Sequence, residues 1–199
     1  MTLAPDRLER AADQSRREPV RRLVVGMAGA PGVPYTLGLL ALLRAVGVES
    51  HLVTCGCSRS VISQETGLSL RQVRSKANGW YHERNQAAAI SSGSFLTLGM
   101  VIVPCTLRSL AAIVTGVADN LVQRAADVTM KEGRPLVLAM AHAEGSAIAS
   151  ENLRRAADVG ITVLHLEPSP TPRAIAAMSE QVVAGCFQLA TDEQLAKLR

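Results

Sequence analysis

Aromatic side chains are scarce in this chain of 199 residues, where they make up only 3% of the total. Surfaces that bind nucleic acids usually interleave clustered basic residues with aromatic rings on which the bases stack. The net charge is +4, but half of it comes from residues 1–22, which hold six Arg against four acidic residues. The sequence therefore predicts no nucleic-acid partner.

Long apolar runs are also missing. No stretch reaches the roughly 18 residues that a membrane-spanning helix requires, so no membrane partner is predicted. The four cysteines, Cys55, Cys57, Cys105 and Cys186, form no C-x-x-C pairs. Their spacing fits neither the usual zinc sites nor a secreted disulfide framework. We therefore expect a cytoplasmic protein with reduced thiols and no metal.

What the chain does contain is a regular alternation of short apolar runs with helical patterns. Strands are predicted at 23–27, 49–54, 100–104, 135–140 and 161–166, and helices at 35–46, 58–65, 107–115, 120–131, 146–159 and 174–190. Buried strands separated by helices indicate a parallel sheet covered on both faces. The predicted fold is a doubly wound α/β domain over 21–199, preceded by a charged N-terminal extension at 1–20.

In such folds, ligands bind beyond the carboxyl ends of the strands, where loops lead into helices. The loop after the first strand holds glycines at 26, 29 and 32, which allow close approach to a phosphate or ring. Their spacing is not G-x-G-x-x-G, so a merely tight turn explains them equally well. Thr106 and Ser109 place hydroxyls at another strand end, although an N-cap is the ordinary role of such a threonine.

Three further features allow two interpretations each. Residues 91–94 combine hydroxyls and backbone amides suited to a phosphate, or form a polar surface turn. Arg124 and Lys131 share a helix face, and either clamp an anionic leaving group or form a surface patch. Glu65 either takes part in chemistry or is simply solvated.

Two stretches resemble the UbiX-type flavin prenyltransferases, which belong to a superfamily that includes flavin-containing cysteine decarboxylases. They are residues 87–105 (AAAISSGSFLTLGMVIVPC) and 120–138 (NLVQRAADVTMKEGRPLVL), and the similarity extends over about 22–183. The resemblance implies a flavodoxin-like Rossmann domain that binds FMN at a subunit interface of a homo-oligomer, typically a dodecamer. It further implies transfer of a dimethylallyl group from dimethylallyl phosphate to reduced FMN, with a UbiD-type decarboxylase as acceptor of the prenylated flavin.

The resemblance also assigns roles to residues. Glu65 matches an acidic residue of the prenylation site, and Arg124 and Lys131 match cations around the isoprenyl phosphate. His142 is a second catalytic candidate, or a helix-start or interface residue. The expected cofactor-binding residues are Gly29, Ala30, Pro31, Cys55, Ser91, Ser92, Gly93, Ser94, Thr106, Leu107, Arg108, Ser109 and Ala141.

Several positions depart from the family pattern. Pro31 stands where the family has Ser, and Ala141-His142 stand where it has Arg-Glu. Residues 168–172 lack the family's Tyr, and Gly185 replaces a phosphate-binding Arg. An alternative to prenyl transfer therefore stays open: an FMN-binding carrier or scaffold with a degenerate phosphate site, or a different flavin-dependent redox or decarboxylation reaction.

Overall fold

The structure, a computed structural model, describes residues 21–55, 58–141 and 146–188. The predicted extension at 1–20 lies outside them. The centre is a six-stranded parallel sheet. Its strands are β1 (Arg22–Met27), β2 (Glu49–Thr54), β3 (Gly79–His82), β4 (Met100–Ile102), β5 (Leu136–Met140) and β6 (Thr162–His165).

Seven α-helices occur within the described residues. They are α1 (Val33–Ala45), α2 (Ser58–Thr66), α3 (Leu70–Arg74), α4 (Leu107–Val114), α5 (Leu121–Lys131), α6 (Ala147–Asp158) and α7 (Pro172–Gln188). The helix starts carry the expected capping residues: Asn120 caps α5 and Ser146 caps α6 through their side-chain oxygens. Such caps stabilise a helix by about 1 kcal/mol each.

From β1, the chain adds strands first to one side of the sheet and then to the other. Val25 of β1 lies opposite Leu52 of β2 on one side and opposite Val101 of β4 on the other. The chain extends the sheet to β3, returns to β4 and ends at β6, which gives the order β3-β2-β1-β4-β5-β6. This is the Rossmann order, and without the edge strand β3 it is the flavodoxin-like order. The predicted fold class is therefore confirmed, and the order reverses between β1 and β4.

Alternate residues of β1 pack on opposite faces of the sheet. Leu23, Val25 and Met27 belong to a cluster that includes buried residues of α1, α2, α3 and α7, whereas Val24 packs with residues of α4, α5 and α6. The strand alternation thus separates two helical layers. Val25 is fully buried, and burying a side chain of this kind contributes about 1.5–3 kcal/mol.

Among the strands and α-helices of the described residues, β3 and α3 were not predicted from the sequence. β3 is an edge strand whose Trp80 is 52% exposed, so it has no buried apolar run to mark it. α3 has five residues and begins with a capping box, in which Ser69 and Gln72 bond to each other's backbone N–H groups. The S-x-x-Q spacing was the available signal for α3. All other element ends agree with the prediction to within two residues.

In the part of the chain that the structure describes, no helix is both long and apolar enough to cross a membrane.

Candidate functional site

A cavity of about 470 Å³ opens at the carboxyl ends of the strands around the point where the strand order reverses. This volume is in the range of small-molecule sites. The lining residues are Ala28, Gly29, Cys55, Glu83, Thr106, Arg108, Ser109, Asn120 and Gln123. The structure therefore brings five of the predicted cofactor-binding residues to one cavity, and we refer to it below as the switch-point cavity.

The loop between β1 and α1 forms one wall of this cavity. Gly29 and Gly32 have φ values of 83° and 118°, which L residues with a side chain rarely adopt. The N–H of Ala28 donates to the carbonyl oxygen of Pro104 at 3.1 Å, which ties this loop to the one after β4. Ala30 is half-buried and Pro31 is exposed. Pro31 has no N–H to offer a ligand.

The start of α4 forms the facing wall. Thr106 is its N-cap: the hydroxyl accepts from the N–H of Ser109 at 3.0 Å and donates to the Ser109 hydroxyl at 3.0 Å. First-turn N–H groups have no acceptor within a helix, and the helix dipole adds a partial positive charge there. Leu107 and Arg108 occupy this turn and are exposed. The wall thus combines a cation, a hydroxyl and backbone donors, the chemistry of a phosphate site.

Four lining residues were not among the predicted site residues. Glu83 follows the unpredicted strand β3, and its carbonyl oxygen accepts from the N–H of Leu121 at 2.7 Å. Asn120 caps α5 through the N–H of Gln123. Ala28 lines the cavity next to Gly29, in the loop between β1 and α1. The position of Asn120 before an amphipathic helix was a visible signal, whereas nothing marked Glu83 because its strand was missed.

Glu65 belongs to α2, and its carboxylate lies against the N-terminus of α1, where it accepts three hydrogen bonds. The Gly32 N–H donates to both carboxylate oxygens at 3.0 and 2.9 Å, and the Val33 N–H donates to one at 2.7 Å. This charge neutralises the positive end of the α1 dipole. The Glu65 residue is nonetheless exposed. The predicted catalytic acid thus stabilises the first loop and stays accessible to a substrate.

The cysteines of this region differ in environment. Cys105 directly follows Pro104 but is buried, and burial raises the pKa of its thiol to about 12. Cys186 of α7 is buried too, and its pKa is likewise raised to about 12. Neither supplies a thiolate near neutral pH. Cys55 is half-exposed and lines the switch-point cavity, so a cofactor there would contact it.

The predicted serine-rich loop, Ser91 to Ser94, lies away from the switch-point cavity within one chain. Ser91 ends a short 3₁₀ turn, and its hydroxyl bonds to the carbonyl oxygens of Gln86 and Ala88. Ser92 and Ser94 are exposed and share a hydrogen bond of 2.8 Å between their hydroxyls. The loop packs at the C-terminal end of α5, whereas the cavity is at the N-terminal end.

Gly93 is closely packed in this loop. A Cβ at Gly93 would come within 3 Å of the Glu132 carboxylate, so a larger residue there would displace this side chain. The Gly93 carbonyl oxygen accepts from the Arg134 guanidinium at 2.6 Å, which also donates to the carbonyl oxygen of Phe95 at 3.0 Å. The loop therefore has a defined shape and presents the Ser92 and Ser94 hydroxyls to the outside.

The two predicted phosphate-binding cations lie at different heights on α5. Arg124 is near the start of the helix and forms an ion pair of 2.8 Å with Asp127. Lys131 is its exposed last residue. Seven residues of α-helix separate them by about 10 Å. Arg124 is therefore on the side of the cavity and already paired, while Lys131 is on the side of the serine-rich loop.

The remaining predicted residues follow β5. Ala141 is half-buried against the core and supplies no polar side chain where the family pattern has Arg. His142 lies outside the described residues. No group of three or more His, Cys, Asp or Glu residues suited to a metal ion occurs within 21–55, 58–141 and 146–188.

Comparisons with known proteins agree with this geometry. The model of the flavoprotein family matches residues 11–191. A probable UbiX-like flavin prenyltransferase of Streptomyces sp. (strain D7) is 45% identical over 166 residues, which cover 82% of this chain and 83% of the relative. A crystal structure of AnUbiX (PadA1) with FMN and dimethylallyl pyrophosphate superposes with a TM-score of 0.78 at 33% identity, over 85% of this chain and 93% of that one.

A second solved structure, a dodecameric FMN-dependent UbiX-like decarboxylase from Escherichia coli O157:H7, has a TM-score of 0.76 at 39% identity and covers 84% of this chain and 94% of its own. An open parallel sheet with a cavity at its switch point defines a ligand-binding protein of the doubly wound α/β class. The chain belongs to the flavoprotein family and, within it, to the UbiX-type flavin prenyltransferases. The resemblance and the prediction of FMN as cofactor are thereby confirmed.

Proposed function

We propose that this protein is a flavin prenyltransferase, which joins a dimethylallyl group from dimethylallyl phosphate to reduced FMN. The observation that carries the proposal is the convergence of Gly29, Thr106, Arg108 and Ser109 on one cavity at the switch point. The UbiX-type relatives and the neighbour with FMN and dimethylallyl pyrophosphate support it.

The cavity residues fit FMN chemically. The α4 N-terminus, with Arg108 and the Ser109 hydroxyl, suits the phosphate of FMN because it combines charge with backbone donors. Gly29 lets the backbone approach a flat ring. Cys55 and Gln123 line the rest of the cavity, where a polarisable sulfur and an amide can contact the edge of that ring.

The chemistry requires a cation and a proton carrier beside the flavin. Reduced FMN, when bound, supplies the nucleophilic ring to which the dimethylallyl carbons attach. The C–O bond of the donor breaks and phosphate leaves with the electron pair, so Arg124 and Lys131 stabilise the departing anion. Each flavin ring atom that bonds to a dimethylallyl carbon must release its proton, and Glu65 would accept it, because its carboxylate is held in place and accessible. His142 is the second candidate.

One chain does not bring these groups together, and this supports an oligomeric site. Arg108 and Glu65 belong to the carboxyl edge of the sheet, while Lys131 and the hydroxyls of Ser92 and Ser94 belong to the opposite end of α5. In the proposed assembly, a flavin in the cavity of one chain contacts the second group on another copy. We propose a homo-oligomer, a dodecamer, in which two copies complete each site. The dodecameric neighbour supports this assembly.

The product, a prenylated flavin, is of use only to an enzyme that takes it as cofactor. We propose a UbiD-type decarboxylase in the cytoplasm as that acceptor. The test is a coupled assay: a cofactor-free UbiD-type decarboxylase receives the small-molecule filtrate of the reaction. Decarboxylation is expected only when this protein, reduced FMN and dimethylallyl phosphate were all present.

Lysine variants sharpen this assay. Lys131→Gln removes a proposed phosphate contact and is expected to lower the rate about tenfold or more. Lys76→Gln removes an exposed lysine beyond α3 and outside the cavity lining, and it should leave the rate unchanged. A filtrate that never activates the decarboxylase, from a protein that retains FMN, would favour the alternative of a non-prenylating flavoprotein.

A further inference from the structure

A second cavity, of about 450 Å³, lies beside the edge strand β3. Its lining residues come from α2, α3 and β3 and are Arg59, Leu70, Arg71, Arg74, Ser75 and Trp80. None of them belongs to the switch-point cavity or was predicted as a site residue. We call this feature the arginine cavity.

The arginine cavity has an excess of positive charge. Three guanidinium groups line it and no carboxylate does. Among the residues that the structure describes, none of the three forms an ion pair. Burial, and after it the nearby charge of Arg59, lowers the pKa of Arg74, which indicates that the two cations repel each other. A concave site lined by one sign of charge concentrates ligands of the other sign.

Arg74 is held rigidly at the inner wall. One of its terminal nitrogens donates to the hydroxyl of Thr54 at 2.9 Å, and its guanidinium carbon lies 4.3 Å from the centre of the Trp80 ring. Its Nε is buried and has no hydrogen-bond partner within the described part of the chain. Folding therefore fixes this cation but satisfies few of its five donors.

Arg59 and Arg71 have no such structural role. Both are exposed, and their side chains form no hydrogen bond within 21–55, 58–141 and 146–188. An adjoining depression of about 530 Å³ shares Arg59, Leu70 and Arg71 with the arginine cavity and adds the hydroxyls of Ser63 and Ser69. Arg59 and Arg71 thus lie between two concave surfaces and can bind an anion in either one.

Trp80 supplies a flat apolar wall. It is the one tryptophan of the sequence, and it is 52% exposed on an edge strand. One face of the ring is covered by Arg74, and the ring borders the cavity. Exposed indole stacks favourably on other aromatic rings.

We propose that the arginine cavity is a second ligand site, which binds a small molecule that carries both a phosphate group and a flat aromatic ring, the chemistry of a nucleotide. Arg59 and Arg71 grip the phosphate, because a guanidinium fork matches phosphate oxygens in a bidentate manner. The ring of the ligand lies against Trp80. The site is distinct from the switch-point cavity, since the two cavities share no lining residue.

The site does not depend on prenyl transfer and is tested without it. The protein is first loaded with one FMN per chain and freed of excess flavin by gel filtration, so that the switch-point cavity is filled, and is then titrated with AMP, ADP, adenosine and inorganic phosphate by calorimetry. Trp80 fluorescence, followed in parallel, reports the location, because no other tryptophan contributes. Saturable binding of AMP or ADP with a change in this fluorescence is the expected result. Adenosine and inorganic phosphate are each expected to bind at least tenfold more weakly.

Variants assign the contacts. The double variant Arg59→Gln with Arg71→Gln is expected to weaken AMP binding at least tenfold, since two charge-assisted contacts are lost. Trp80→Leu weakens it by removing the ring. Arg155→Gln on α6 removes the same kind of charge far from the cavity, where Arg155 contacts Glu151, and leaves binding unchanged. All replaced arginines are exposed, and thermal unfolding verifies that each variant is folded.

Three results would overturn the proposal. The first is that neither AMP nor ADP produces saturable binding. The second is that adenosine or inorganic phosphate binds as tightly as AMP, which removes the role of the phosphate or of the ring. The third is that the double arginine variant binds AMP as tightly as the wild type does, which places the ligand elsewhere.

Discussion

The guanidinium of Arg134 donates a hydrogen bond of 2.6 Å to the carbonyl oxygen of Gly93. This contact joins the segment before β5 to the serine-rich loop, and it is about nine-tenths removed from solvent on the Arg134 side. A charged donor held by backbone carbonyls is a strong hydrogen bond in such surroundings. Arg134 therefore sets the shape of the loop that presents the Ser92 and Ser94 hydroxyls.

Replacing Arg134 by Gln is expected to destabilise the protein by about 2–4 kcal/mol, because the carbonyl groups of Gly93 and Phe95 lose a charged partner. The free energy of unfolding in urea measures this loss, and hydrogen exchange at 91–97 shows where it occurs. Arg134→Lys keeps one charged donor and should fall between Gln and wild type. Equal stability of Arg134→Gln and wild type would show that Arg134 does not stabilise this loop.

Glu65 has two proposed roles, helix capping and proton transfer, and its variants separate them. Glu65→Gln keeps an oxygen for the N–H groups of Gly32 and Val33 but loses the charge at the α1 N-terminus. We expect a loss of about 1 kcal/mol in unfolding free energy, unchanged FMN affinity and a prenyl-transfer rate about a hundredfold lower.

The control for Glu65 is Ser69→Ala, which removes the cap of α3. It costs a similar free energy of unfolding, about 1 kcal/mol, and should leave the transfer rate intact. A Glu65→Gln enzyme whose rate falls no more than that of the Ser69 variant would show that Glu65 is a helix cap and nothing else.

Adding a cation at Gly185 tests whether the phosphate site lacks one. A Cβ there meets no atom within 4 Å, so α7 has room for a longer side chain. Gly185→Arg is expected to lower the KM for dimethylallyl phosphate about tenfold, because it restores a phosphate-binding cation of the family pattern. Gly185→Ala shares the gain in helix propensity, about 1 kcal/mol, without the charge. If both variants change KM alike, the cation is not the cause.

The buried thiols of Cys105 and Cys186 predict a loss of stability in alkali. Burial raises both pKa values from the usual value near 9 to about 12. The folded state thus favours the neutral thiol, and this contribution is complete below about pH 9 and is lost as the pH rises towards 12. Urea unfolding should show a decline over that window that is shallower for Cys105→Ala. A slope unaffected by this variant would refute the assignment.

Much of the fold could be predicted because it is encoded locally. The apolar runs of β1 and β5 are short and continuous, and the helices between them have an apolar face, so one pattern suffices to find each element. β3 was not predicted, because this edge strand has no fully buried residue to produce an apolar run. Glu83, which follows it, was not predicted for the same reason.

The candidate site could be predicted only in part. Gly29, Thr106 and Ser109 follow strand ends, and the carboxyl ends of parallel strands share one edge, so their convergence could be expected. The distance of Lys131 and Ser92 from that edge could not, since it depends on where the chain lies between β3 and β4. The hydrogen bonds of Glu65 to the first loop depend on the packing of α2 against α1.

Prenyl transfer to FMN is tested by the mass of the flavin recovered after anaerobic incubation with reduced FMN and dimethylallyl phosphate. We expect a flavin heavier by one prenyl unit, formed only when protein and donor are both present. Tightly retained FMN of unchanged mass would contradict it, and would mean that the losses at Pro31, Ala141 and Gly185 leave a flavoprotein that does not use this donor.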